Sequence, residues 1–121
     1  MKKILVIEDD KYLINAYRVK LTAAGFEVKL AMDGEEAIEA LKTFQPDIIL
    51  LDLVMPKKDG FSVLEEIKRD SKTNKIPVII TSNLGQKEDV DRGMKLGAVD
   101  YIIKSDVSIA DILTKINNIV K

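Results

Sequence analysis

Short apolar runs alternate with amphipathic stretches five times along the chain. Residues 4–7, 48–51 and 78–80 are nearly continuous in Val, Ile and Leu. That pattern predicts central parallel strands covered on both faces. Residues 26–30 alternate apolar and charged side chains, as an edge strand with one wet face does. Residues 99–103 are mixed and read as the other edge. Between these runs, Leu13, Ala16, Tyr17, Leu21 and Ala24 share one helical face, which Gly25 stops. Ala37, Ile38 and Leu41 mark a second helix, opened by Asp33 with Glu35 and Glu36 near its positive end. Phe61, Leu64 and Ile67 mark a third, started by the Asp59-Gly60 turn. The fourth is weaker, carried by Val90, Met94 and Leu84, with Gly93 inside and Gly97 at its end. Ile109, Ile112, Leu113, Ile116 and Val120 define the fifth.

Five strand–helix units predict an α/β fold, a doubly wound five-stranded parallel sheet with five helices. Edge character in the second and fifth strands gives the order 2-1-3-4-5. In such a sheet ligands bind outside the carboxyl ends of the strands, where the order switches, here between strands one and three. Glu8-Asp9-Asp10 ends the first strand and Asp52 the third, so topology gathers acids far apart in sequence. Thr81 and Lys104 end strands four and five. Close carboxylates repel one another, so some protonate or a hard cation sits among them. An oxygen-only set suits Mg²⁺.

Length and composition narrow the chemistry. A chain of 121 residues suits one domain with one core. There are 19 basic and 20 acidic residues, a net charge of -1. No basic excess drives contact with a phosphate backbone, so direct nucleic-acid binding is not expected. Cysteine and histidine are absent, which removes disulfides, thiolate metal sites and phosphohistidine chemistry on this chain. No run approaches the roughly 18 apolar residues of a membrane span. The short apolar start ends in three acids and reads as a strand, so the expected location is cytoplasmic.

Four segments together carry a resemblance. Ile-Leu-Val-Ile-Glu-Asp-Asp at 4–10, Asp-Leu-Val-Met-Pro-Lys-Lys-Asp-Gly at 52–60, Ile-Ile-Thr-Ser at 79–82 and Gly-Ala-Val-Asp-Tyr-Ile-Ile-Lys at 97–104 resemble a response regulator receiver domain. The likeness is CheY-like, flavodoxin-like in fold, and covers residues 1–121 as one phosphoacceptor domain. It implies that Asp52 takes a phosphoryl group from a phosphohistidine on a sensor histidine kinase or phosphotransfer protein. It implies Mg²⁺ bound by Asp9, Asp52 and the backbone carbonyl of Val54, with Glu8 acting through a water. Lys104 would pair with the phosphoryl group, Thr81 would hydrogen-bond to it, and Tyr101 would turn inward as Thr81 moves. The fourth helix, fifth strand and fifth helix would present the changed face to a downstream protein target. Lys87, Glu88, Asp91, Arg92 and Lys95 could read that partner or form a solvated helix surface. The unphosphorylated chain is expected to be a monomer.

Two departures qualify the likeness. The family usually has a proline after the lysine, with a cis bond, where this chain has Ser105. A cis bond before a non-proline residue costs about 3 kcal/mol. Either that strain is tolerated or the peptide is trans and the Lys104 ammonium is placed differently. Val54 lies two residues after the acceptor and cannot orient a water, which predicts slow self-dephosphorylation, with Asn83 the one nearby polar group to assist. Three other readings compete. An Asp-nucleophile phosphatase generally carries a second Asp where Val54 stands. A flavin or nucleotide module wants a phosphate-binding loop where the acids lie. A degenerate receiver that works by binding alone leaves the acid–Thr–Lys set without a use.

Overall fold

The computed structural model describes residues 1–120; Lys121 lies outside the described residues. The elements run β1 (Lys3–Ile7), α1 (Lys11–Ala23), β2 (Glu27–Ala31), α2 (Gly34–Leu41), β3 (Ile48–Leu51), α3 (Gly60–Arg69), β4 (Val78–Ser82), α4 (Lys87–Lys95), β5 (Asp100–Ile103) and α5 (Ile109–Ile119), with a 3₁₀ turn at Lys104–Asp106. The strands form one parallel sheet in the order β2-β1-β3-β4-β5.

Strand alternation sorts the apolar residues onto two faces. Leu5, Ile7, Ile49, Leu51, Val78 and Ile80 pack on the side of α2 and α3. Ile4, Val6, Ile48, Leu50 and Ile79 pack on the side of α1 and α5. Both faces are covered, so the three central strands carry continuous apolar runs, Ile4–Ile7, Ile48–Leu51 and Val78–Ile80. Full burial of such a side chain contributes about 1.5–3 kcal/mol. Glu27 and Lys29 of β2 are exposed, as an edge strand allows.

Four helices begin on a side chain that accepts backbone N–H donors. Asp10 takes those of Tyr12 and Leu13, Asp33 that of Glu36, Asp59 that of Ser62, and Ser108 that of Asp111. Asp10 therefore caps α1 and stands apart from the acid pair before it. Gly25 and Gly97 adopt φ of 96° and 111° after the first and fourth helices, where a residue with a Cβ is strained.

Several local expectations need correction. The buried face of α1 is Ile14, Tyr17 and Leu21, whereas Ala24 is the exposed cap. Met94 was expected inside but is exposed, and Leu84 lies ahead of α4 rather than in it. The reason is Gly93, the buried residue of that helix. A Cβ there would stand 2.6 Å from Ile80 Cδ1 and 3.2 Å from the Tyr101 ring. Bare backbone lets α4 rest directly on β4 and β5, which turns Met94 outward. β4 runs on through Thr81 and Ser82, past the apolar run at 78–80, and Val99 precedes β5.

Candidate functional site

Register brings the chemistry to one edge. Ile7 pairs with Leu51, and Leu51 with Ile80. The next residue of each strand path is then Glu8, Asp52 and Thr81, side by side. The Asp52 N–H donates to Ile7 O at 2.9 Å, extending the ladder one step. Ile103 pairs with Ser82, so Lys104 follows at the same edge. Glu8, Asp52 and Thr81 are 1%, 4% and 1% exposed, while Asp9 is exposed at the rim.

Glu8, Asp9 and Asp52 each offer a carboxylate oxygen, and these oxygens lie within 4.8 Å of one another. Lys104 Nζ stands 2.6 Å from Glu8 Oε1 and 3.4 Å from Asp52 Oδ1. Glu8 Oε2 also accepts the Asp10 N–H at 3.1 Å. Three carboxylates and one ammonium leave two net negative charges in a partly buried space, a deficit one divalent cation would cancel. The donors are all oxygen, so the set fits Mg²⁺.

Burial sets the electrostatics. It pushes the Asp52 carboxyl above its ordinary range, and the Lys104 charge only partly offsets it. Glu8 is raised in the same way, opposed by its bond to Lys104 and reinforced by the charge of Asp52. Burial by itself would lower Lys104. The bond to Glu8 and the charge of Asp52 outweigh it, and its ammonium is held above the ordinary value. Each group thus makes the charged form of the other tolerable.

The loop after Asp52 is held from two directions. The Gly60 N–H donates to Leu53 O at 2.9 Å, and a Cβ at Gly60 would stand 2.4 Å from Asp52 O. Only glycine allows α3 to start so close behind the acid. Lys57, at φ 68°, reaches Asp33 at 3.5 Å and ties the loop to the start of α2. Val54 is 60% exposed beside the acids, so an apolar side chain meets whatever approaches Asp52.

Every peptide bond among the described residues is trans, including the one before Ser105. Even so, the Lys104 ammonium reaches both Glu8 and Asp52, so the departure at Ser105 does not displace it. Asn83 is exposed, and its Oδ1 accepts the Ser105 N–H at 3.1 Å. The Tyr101 hydroxyl donates to Leu84 O, holding the ring over α4.

One neighbour of the site escaped the sequence reading. Tyr17 sits 2% exposed in the core. Burial, then the charge of Glu8, pushes its phenol up to about 12. A helical aromatic among apolar residues reads as core packing. The only signal for more was its hydroxyl, which a buried tyrosine usually satisfies.

Comparison with known proteins adds independent findings. The family model of the response regulator receiver domain matches residues 4–117. The DNA-binding dual master transcriptional regulator RpaA of Synechocystis sp. is 40% identical over 104 residues, covering 86% of this chain and 43% of RpaA. The chain thus spans less than half the length of that relative. The receiver domain of Francisella response regulator 1452 superposes with a TM-score of 0.91 at 32% identity, over 99% of this chain and 97% of that one. Chemotaxis response regulator CheY4 of Vibrio cholerae shares the fold, with a TM-score of 0.91 at 24% identity over 98% of each chain. Among the described residues no helix is long and apolar enough to cross a membrane.

Proposed function

The chain belongs to the response regulator receiver domain family, and from that premise we propose that Asp52 accepts a phosphoryl group from a phosphohistidine on a sensor histidine kinase or phosphotransfer protein. Residues 1–121 then form one phosphoacceptor domain, working in the cytoplasm. The observation that carries this reading is the buried Asp52 carboxylate, within 4.8 Å of the ligand oxygens of Glu8 and Asp9 and 3.4 Å from Lys104 Nζ.

In the reaction a carboxylate oxygen of Asp52 bonds to phosphorus, and the phosphorus–nitrogen bond to the partner's histidine breaks. The histidine nitrogen keeps the electron pair. Glu8, Asp9, Asp52 and the Val54 carbonyl would hold Mg²⁺, which supplies positive charge where two anions meet. Lys104 favours the ionised form of Asp52 and neutralises the phosphoryl oxygens. Positioning and charge neutralisation are what this transfer needs.

The product adds a dianion beside Thr81. A charge-assisted hydrogen bond from its hydroxyl contributes about 1.5–3 kcal/mol. That shifts a two-state loop by roughly one to two decades in population. Tyr101 would follow Thr81 inward, and the α4–β5–α5 face would change for a downstream protein. Receiver domains are signalling phosphoacceptors rather than turnover enzymes, and Val54 leaves no side chain to activate water.

Titration with beryllofluoride plus Mg²⁺ tests the reading by NMR. Shifts are expected at Asp52, Thr81, Lys104 and along α4, and only with both components present. An unchanged spectrum overturns it. A second expectation concerns lifetime. Val54→Asn introduces a group able to orient water, worth about one hydrogen bond and so about tenfold faster loss of the phosphoryl group. Decay after acetyl phosphate labelling measures this, and equal rates would count against slow self-dephosphorylation by Val54.

A further inference from the structure

We propose that Asn83 is a positioning residue that latches the β4–α4 segment to the Lys104 turn at rest, and that the latch opens when Thr81 engages the phosphoryl group. The inference rests on the phosphoacceptor reading of Asp52 and assigns that site a second control.

The segment between β4 and α4 is loosely built. Residues 83–88 are all exposed. Among the five α-helices, α4 alone lacks a side-chain cap, because Gln86 accepts nothing there. The segment has no buried apolar anchor, so specific hydrogen bonds decide where it rests. Leu84 N–H donates to Ser82 Oγ at 3.1 Å, and the Tyr101 hydroxyl donates to Leu84 O. The third bond, from the Ser105 N–H to Asn83 Oδ1 at 3.1 Å, is the one that crosses to the β5–α5 connection.

That bond exists because residue 105 is not proline. A proline there has no N–H to give. The departure from the expected Lys-Pro pair thus creates a contact that such a pair could not make. Its position is what matters. Asn83 lies two residues past Thr81, and Ser105 is bonded directly to Lys104. The latch therefore links the chain segments that carry the two side chains that would contact the phosphoryl group. Drawing Thr81 inward changes the spacing of 83 and 105. An interaction present in only one of two states shifts their ratio by its own free energy. Losing the latch then eases the shift.

Two measurements decide the point. Hydrogen exchange of the Ser105 amide needs no phosphoryl mimic. It should be slow in the parent and in Ser105→Ala, which keeps the N–H, and fast in Asn83→Ala. Beryllofluoride affinity with Mg²⁺ should rise about two- to tenfold in Asn83→Ala, the effect of one modest hydrogen bond. In a Ser105→Pro background, Asn83→Ala should add nothing, because the donor is already gone. A merely structural Asn83 would lower stability without tightening binding. Unchanged affinity in Asn83→Ala, or the same gain in the proline background, overturns the latch alone. A parent that binds no beryllofluoride overturns the phosphoacceptor reading instead.

Discussion

Replacing Asp52 with asparagine is expected to abolish the response to beryllofluoride and Mg²⁺ while making the resting protein more stable. The first effect is chemical: an amide supplies no anionic oxygen to bond beryllium or phosphorus. The second is electrostatic. Burial raises the Asp52 carboxyl above its ordinary 3.8. A raised acid contributes stability that is fully present below that ordinary value and lost as pH rises through the raised one. At neutral pH the ionised group is therefore a net liability, and asparagine, which carries no charge to desolvate, relieves it. Lys104 keeps its closer partner, Glu8, at 2.6 Å. Asp33 is lowered by the Glu36 N–H and loses its contribution in acid, but it does so equally in both proteins. Urea unfolding should show the variant ahead at neutral pH and the gap closing in acid. A retained response, or a less stable variant at neutral pH, would contradict the assignment.

Lys104→Ala should move stability the other way. The Lys104 ammonium has a raised folded pKa. Its contribution is fully present below the ordinary 10.5 and lost only as pH rises past the raised value. At neutral pH all of it is at stake. Without it, Glu8 and Asp52, 1% and 4% exposed, have no counter-ion. Stranding buried carboxylates in this way costs about 2–4 kcal/mol. The loss should shrink as pH falls and both carboxyls take up protons. Excess Mg²⁺ should also recover much of it, since a bound cation replaces the missing charge. A deficit that is flat with pH and indifferent to Mg²⁺ would mean that Lys104 matters through its packed stem. The phosphoryl response should weaken as well, because one of its two positive partners is gone.

The candidate site was more legible than its surroundings. Glu8, Asp52, Thr81 and Lys104 could be placed because each follows an unmistakable apolar run, and a parallel sheet aligns such run ends. The α4 region was less legible. Met94 is the apolar residue of its turn, yet Gly93 makes the contact. Periodicity counts apolar side chains and cannot register a position where having none allows close approach. Ile14 is buried beside Tyr17 and Leu21, although Leu13 and Ala16 offer a competing apolar stripe in the sequence. The Lys104–Ser105 geometry stayed open for a related reason: local preference does not say how far a flexible lysine stem can reach.

Apolar periodicity and punctuation by glycine and acidic caps determined the α/β class, the strand order and which residues reach the carboxyl edge. These follow from a local pattern, since burial on two faces leaves a continuous apolar run and burial on one leaves alternation. Tertiary structure alone decided the pairing of Lys104 with Glu8 ahead of Asp52, the proximity of Tyr17 to the acids and the bond from Ser105 to Asn83. Those depend on distances across strands and on desolvation, which arise only when segments remote in the chain share one enclosed space.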